Sequence, residues 1–147
     1  MMNVLCVCTG NTCRSPMLAA LLRAALRRQV VAATVESAGT AAGQGEPASA
    51  GALAAMARRG LDLSAHRSRA LVGLDLGGID HVCTVSSRHA AFVRSLGVPP
   101  GRISVVAADR GGVPDPWGGD EEAYEEAART LEAEAERLAR SLSAQTE

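Results

Sequence analysis

The chain contains no lysine: all 15 of its basic residues are arginine, a bias that reflects coding composition more than function. It also lacks long apolar runs. Hydrophobic residues make up 47% of its 147 positions, yet no run is long enough to span a membrane. Cysteine is scarce, with four residues at positions 6, 8, 13 and 83. That is too few and too uneven for a secreted disulfide scaffold. The opening "MMNVLCVC" has no basic region of the kind that starts a signal peptide. A net charge of -1 gives no electrostatic reason for nucleic acid or an acidic membrane as partner. The expectation is a soluble cytoplasmic protein whose cysteines are core thiols plus one or two chemical ones.

The length suits one domain, residues 1–147, with a real core. Short β-like runs alternate with longer helical ones, the pattern of an α/β domain on a parallel sheet. "NVLCVC" (3–8) reads as a central strand buried on both faces. Ser15 to Gln29 reads as helix, with Pro16 tolerated in its first turn. "ATVESAG" (33–39) is a second strand, and an alanine-rich helix is expected from Pro47 to Arg59, stopped by Gly60. Then come "IDHVCTV" (79–85) as strand, 86–97 as helix and "RISVVA" (102–107) as the last strand. The final helix takes Asp120 as N-cap and Glu121 and Glu122 in its first turn, with Tyr124, Leu131 and Leu138 as a core-facing stripe. The prediction is a small doubly wound, four-stranded parallel sheet with helices on both faces. Such a sheet binds ligands at the carboxyl ends of strands near its switch point, where the first strand ends. Nothing distinguishes a dimer patch from ordinary surface, so a monomer or weak homo-oligomer is expected.

That strand end carries "CVCTGNTCRSPML" (6–18), which poses a choice between a metal site, a redox dithiol and an anion cradle with a thiol at its base. From Thr9 through Arg14, the backbone amides can curl inward and join the helix N-terminus in a nest for a tetrahedral oxyanion. Gly10 is expected to supply the unusual backbone conformation that a tight loop needs. Arg14 can hold two phosphate oxygens bidentately. The same field stabilises a thiolate at Cys8, whose attack on phosphorus would give a phosphocysteine intermediate. Ser15 can hydrogen-bond the departing thiolate. A metal is disfavoured: Cys6 and Cys8 are read as lying on opposite faces of one strand, and His66, His81, His89 and Cys83 show no paired spacing. No cofactor is implied. Asp115, between two prolines in "VPDPWGGDEEAY" (113–124), would be held stiffly over the pocket mouth as general acid.

With "VCTGNTCRSPM", "SAGT" (37–40), "LDLSAHRSR" (61–69) and "DPWGG" (115–119) in this order, the chain resembles the low-molecular-weight protein tyrosine phosphatase family from residue 3 to about residue 140. The resemblance implies Cys8 as nucleophile, Arg14 as phosphate clamp and Asp115 as general acid, acting on phosphorylated protein and releasing inorganic phosphate. Thr9, Gly10, Asn11, Thr12, Cys13 and Ser15 would bind the phosphoryl group. It further implies that Asn11 is held by Ser15, Ser37 and His66, and that Cys13 can form a reversible, protective disulfide with Cys8.

Two departures bear on substrate. Thr12 stands where phosphotyrosine-directed members usually have an aliphatic residue, and "TAAGQGEPA" (40–48) carries no aromatic to stack on a phenyl ring. A threonine there resembles the bacterial protein-arginine phosphatase branch. In that branch Trp117 could cover a guanidinium by cation-π contact; its other reading is a partly buried loop anchor. "VSSRH" (85–89) lacks the acidic residue that tyrosine phosphatases often carry, and the regulatory pair of adjacent tyrosines is absent, because Tyr124 is the only tyrosine. The function read is a cysteine-dependent phosphatase for phosphoarginine or phosphotyrosine protein, phosphoarginine favoured on Thr12. The alternatives are an arsenate reductase of the same fold, which would need a second relay cysteine beyond Cys83, or a non-catalytic phosphate-binding module.

Overall fold

The computed structural model describes residues 1–146. At its centre lie four parallel strands, β1 (Met2–Cys8), β2 (Ala33–Gly39), β3 (His81–Thr84) and β4 (Ile103–Val105), in the order β2-β1-β3-β4. Four helices flank them: α1 (Arg14–Arg28), α2 (Ala50–Ala57), α3 (Ser87–Ser95) and α4 (Glu121–Gln145). From β1 the chain goes to β2 on one side and later returns to β3 on the other. The strand order therefore reverses at β1, and the crevice for ligand opens at its carboxyl end.

Alternation along β1 builds two cores. Val4, Cys6 and Cys8 join the larger one with residues of α1, α2 and α4, while Leu5 and Val7 face the smaller one under α3. Positions two apart on a strand share a face. Cys6 and Cys8 therefore point the same way, and the expectation that they lie on opposite faces is wrong by one step of parity. Cys6 instead pairs across the sheet with Cys83. A hydrogen bond with Cys83 and complete burial push the Cys6 thiol well up, which keeps it protonated.

α4 follows its sequence pattern. Asp120 caps it by accepting the Ala123 N–H at 2.9 Å. Tyr124, Leu131 and Leu138 are buried as their spacing predicts, and the stripe is widened by alanines at 127, 128, 135 and 139 that let α4 pack closely on α1.

Several boundaries contract. α2 begins at Ala50, not Pro47, because Ser49 is its N-cap, accepting the Ala52 N–H at 3.4 Å. The residues before it stay extended, and the Ser49 N–H donates to the Thr12 carbonyl at 2.9 Å. The segment read as a first helical turn is thus spent holding the loop after β1. β3 and β4 are shorter than 79–85 and 102–107; β4 ends where the chain turns away through left-handed Ala107, φ 52°.

Candidate active site

β1 ends at Cys8 and α1 starts at Arg14, and the loop between them is braced from outside through its carbonyls. Cys8 O accepts Thr40 N–H at 2.9 Å, Thr9 O accepts Ala41 N–H at 3.0 Å, and Thr12 O accepts Ser49 N–H at 2.9 Å. Asn11 O is bonded by His66 Nε2 at 2.7 Å. Among the described residues no peptide is cis, and in a trans peptide the carbonyl and the next N–H point oppositely. Each of these carbonyls therefore points the following amide the opposite way, the arrangement that a nest for an oxyanion uses. Asn11 N–H, 3.3 Å from Cys8 Sγ, is the inward amide that already has an acceptor.

The strained residue of this loop is Asn11, at φ 58°, and not Gly10, which keeps an ordinary φ. Asparagine tolerates the left-handed region when its side chain is bonded locally. Here it is fully buried, donating from Nδ2 to Ser15 Oγ at 2.8 Å and Ser37 Oγ at 2.9 Å. Its Oδ1 accepts the Arg69 N–H at 3.0 Å. The expected partners Ser15 and Ser37 thus hold the side chain; His66 acts on the backbone carbonyl instead, and Arg69 fills the third place. Burial pushes the His66 imidazole down, and its bond to the Asn11 carbonyl opposes that shift. A neutral ring bonding a carbonyl through Nε2 carries its proton there.

Gly39 explains the "SAGT" motif beside this loop. A Cβ at Gly39 would lie 2.3 Å from the Thr9 carbonyl oxygen, so any side chain would push the strap off the loop.

Cys8 is 2% exposed at the base of the pocket, with Sγ 2.9 Å from Ser15 Oγ. Arg14 extends from the first turn of α1, and its Nη1 donates to the Val113 carbonyl at 2.9 Å. Its Nη2 stands 3.7 Å from Asp115 Oδ2. The other Asp115 oxygen accepts the Trp117 N–H at 3.1 Å, which fixes the carboxylate within its proline-flanked turn. Cys8, Thr9, Gly10, Thr12, Cys13, Arg14, Asp115 and Trp117 line one pocket of about 200 Å³. Trp117 is 70% exposed, so its reading as a partly buried anchor fails and its ring is free at the pocket rim. Cys13 points away from solvent, 3.2 Å from Ser49 Oγ and 3.4 Å from the Tyr124 hydroxyl. Burial and this contact with Cys13 push the Tyr124 phenol up. Cys83 is fully buried on β3 beside Cys6 and presents no exposed thiol.

One residue at the site escaped the sequence reading in this role. His89, weighed there only as a metal ligand, places Nε2 2.7 Å from Thr9 Oγ1. Its Nδ1 hydrogen-bonds the hydroxyl of Ser86, the N-cap of α3. Burial, with the positive charges of Arg14 and Arg88 beside it, pushes the imidazole down to about 4. At neutral pH the ring is an uncharged brace between α3 and the loop. A serine three residues before a histidine at a helix start was the available signal.

Residues 3–147 match the family model of the low molecular weight phosphotyrosine protein phosphatases. A protein-arginine-phosphatase from Geobacillus stearothermophilus is 37% identical over 146 residues, covering 95% of each chain. Among solved structures, a YwlE variant from Bacillus subtilis superposes with a TM-score of 0.88 at 30% identity, covering 97% of this chain and 99% of that one. A low molecular weight protein tyrosine phosphatase from T. tengcongensis gives a TM-score of 0.88 at 33% identity, covering 96% and 99%. With a braced strand-to-helix loop over a buried thiol, on the doubly wound sheet these proteins share, the chain belongs to the low molecular weight phosphotyrosine protein phosphatase family.

Proposed function

We propose that the chain hydrolyses phosphorylated protein through a phosphocysteine at Cys8. The observation that carries the reading is the position of the thiol, bonded to Ser15 Oγ at 2.9 Å beneath a loop braced through its carbonyls. The Cys8 thiolate attacks phosphorus, Arg14 takes up charge on the equatorial oxygens, and the bond to the leaving atom breaks as Asp115 delivers its proton. Water then attacks the phosphocysteine and gives its proton to Asp115. Inorganic phosphate leaves, and the Ser15 hydroxyl receives the thiolate. Ser37 and His66 support the loop through Asn11 and take no proton. Four scattered cysteines, too few and too uneven for a disulfide scaffold, support an intracellular setting.

Among phosphorylated side chains, phosphoarginine is favoured. Thr12 lines the pocket, the 40–48 strap offers no aromatic wall, and Trp117 stands exposed at the rim to cover a guanidinium. The similarity to a protein-arginine-phosphatase over nearly the whole chain supports this choice. The test compares kcat/KM for phosphoarginine and phosphotyrosine protein on wild type and Thr12→Ile. Wild type should act on phosphoarginine at least as well, and the variant should shift toward phosphotyrosine. An unchanged preference removes the role given to Thr12. Cys8→Ser should abolish turnover of either substrate; residual hydrolysis at the wild-type rate would sink the phosphocysteine route.

A further inference from the structure

A second groove leaves the catalytic pocket and is lined by arginine. It is about 360 Å³ in volume, shares Thr9, Arg14 and Asp115 with the pocket, and continues past Arg88 on α3 to Arg110 on the strap before the acid loop. These two arginines lie far apart in sequence, and the backbone brings them to one edge. Ser86 bridges Gly112, Ser87 N–H donates to Gly111 O at 3.2 Å, and Val113 N–H donates to Val85 O at 2.8 Å. Only glycine fits the closest approach: at Gly112, φ 128°, a Cβ would stand 2.3 Å from the Val85 carbonyl. The same strap gives its Val113 carbonyl to Arg14, so the catalytic guanidinium and the two outer ones are set by one stapled segment.

The charge of this groove is unbalanced. Both Arg88 and Arg110 are exposed, and among the described residues neither has an acidic partner within 4 Å. Asp115 is the sole carboxylate in the lining, and it already faces Arg14. Three guanidiniums therefore meet one carboxylate, in a cleft whose walls concentrate their field. Burial, then the charges of Arg14 and Arg88, push the His89 imidazole beside this groove down, while Asp115 opposes them.

We propose that Arg88 and Arg110 form an accessory subsite for the carboxylates of acidic residues flanking the phosphorylated residue of a protein substrate. The subsite rests on the phosphatase reading for its purpose, and its chemistry is that of guanidinium forks with carboxylate. An extended peptide advances about 3.3 Å per residue, so a groove that opens directly from the catalytic pocket is reached within a few positions of the phosphate. Small aryl phosphates do not extend into it.

The test uses matched phosphopeptides, on phosphoarginine and on phosphotyrosine, whose flanks carry paired glutamates or paired glutamines. Affinity is measured on the non-turnover Cys8→Ser protein, and kcat/KM on the wild type. The glutamate peptides should bind about five- to tenfold more tightly at low salt, the size expected of two partly exposed charge pairs. The advantage should collapse at about 0.5 M salt. Arg88→Gln with Arg110→Gln should abolish it, leaving turnover of p-nitrophenyl phosphate unchanged. Equal affinity for the two flanks, or a preference that survives the double substitution, overturns the subsite. Failure to hydrolyse p-nitrophenyl phosphate would instead count against the phosphatase reading, and the binding arm would still report on the groove.

Discussion

Thr9 Oγ1 and His89 Nε2 are 2.7 Å apart although 80 positions separate them in the chain. Through that bond and the Ser86 hydroxyl on the other ring nitrogen, α3 holds the wall of the phosphate loop. His89 is a positioning residue, since nothing places it against the reacting atoms. His89→Gln, which keeps a donor and an acceptor in different places, should lower kcat/KM about tenfold, with a larger effect of His89→Ala. Weakened inhibition by inorganic phosphate should accompany the loss, as a purely structural defect elsewhere would not require.

The same residue predicts acid sensitivity. Its imidazole titrates near 6.5 when unfolded and about 4 in the fold. Between those values the unfolded chain binds the additional proton, so stability is intact above 6.5 and falls as pH drops toward 4. Arg14 and Arg88 enforce the shift along with burial, while Asp115 opposes it. The contribution lost is roughly 2 to 3 kcal/mol for this buried ring. Burial also pushes His66 and His81 down, and both act in the same direction. Urea midpoints followed from pH 7 to 4.5 should fall steeply in wild type and less steeply in His89→Gln; parallel curves would refute the assignment.

Asn11 combines two costs that can be separated. Asn11→Ala orphans the partners of Nδ2 and Oδ1 and places a Cβ residue at φ 58° without local compensation. A destabilisation of about 3 kcal/mol is expected, with near-complete loss of turnover. Asn11→Gly loses the same hydrogen bonds and relieves the left-handed penalty, so it should be the milder variant by about 1 kcal/mol. If alanine and glycine prove equal in chemical denaturation, backbone strain is not part of what Asn11 supplies.

What the sequence made legible is mostly short-range. Cys8, Arg14 and Ser15 fall within one strand, loop and helix start, and a helix with an Asp120 cap and a seven-residue repeat declares itself locally. Gly10 drew the role that belongs to Asn11 because glycine is the general answer to positive φ. Ser37, 26 positions away, is reached only through the family resemblance, and Arg69, 58 positions away, has no local signal at all. His89 was missed as a brace for the same reason. Pro47–Ser49 looked helical by composition, and tertiary demand on the Ser49 amide from Thr12 kept it extended. The parity of Cys6 and Cys8, by contrast, was available from strand geometry alone.

Gly39 offers a test of the strap that braces the loop. Gly39→Ala would set Cβ 2.3 Å from Thr9 O and 2.7 Å from Ala42 Cβ, contacts that only backbone movement can relieve. Overpacking of this kind costs about 1 to 3 kcal/mol. Displacing a catalytic loop by even ~1 Å can cost about a hundredfold in rate. Activity should therefore fall by more than tenfold while the variant remains folded by circular dichroism. Wild-type kinetics in a folded Gly39→Ala would show that the strap does not set the loop.

Asp115 is fixed from two sides, by the Trp117 amide at 3.1 Å and by Arg14 at 3.7 Å, and it stands at the mouth of the pocket that Cys8 closes below. A group so placed can hand a proton to an atom leaving in line with the thiol, and its value grows with the basicity of that atom. Asp115→Asn keeps the acceptor for the Trp117 amide and removes the proton. Its effect should be about tenfold on p-nitrophenyl phosphate, whose leaving group departs readily, and about a hundredfold or more on an unsubstituted phenyl phosphate. The slope of log kcat/KM against leaving-group basicity should steepen in the variant, because charge then builds on an unprotonated oxygen. A uniform loss across the series would mean that Asp115 positions Arg14 and does not move the proton, since disturbing the phosphate clamp slows every ester alike.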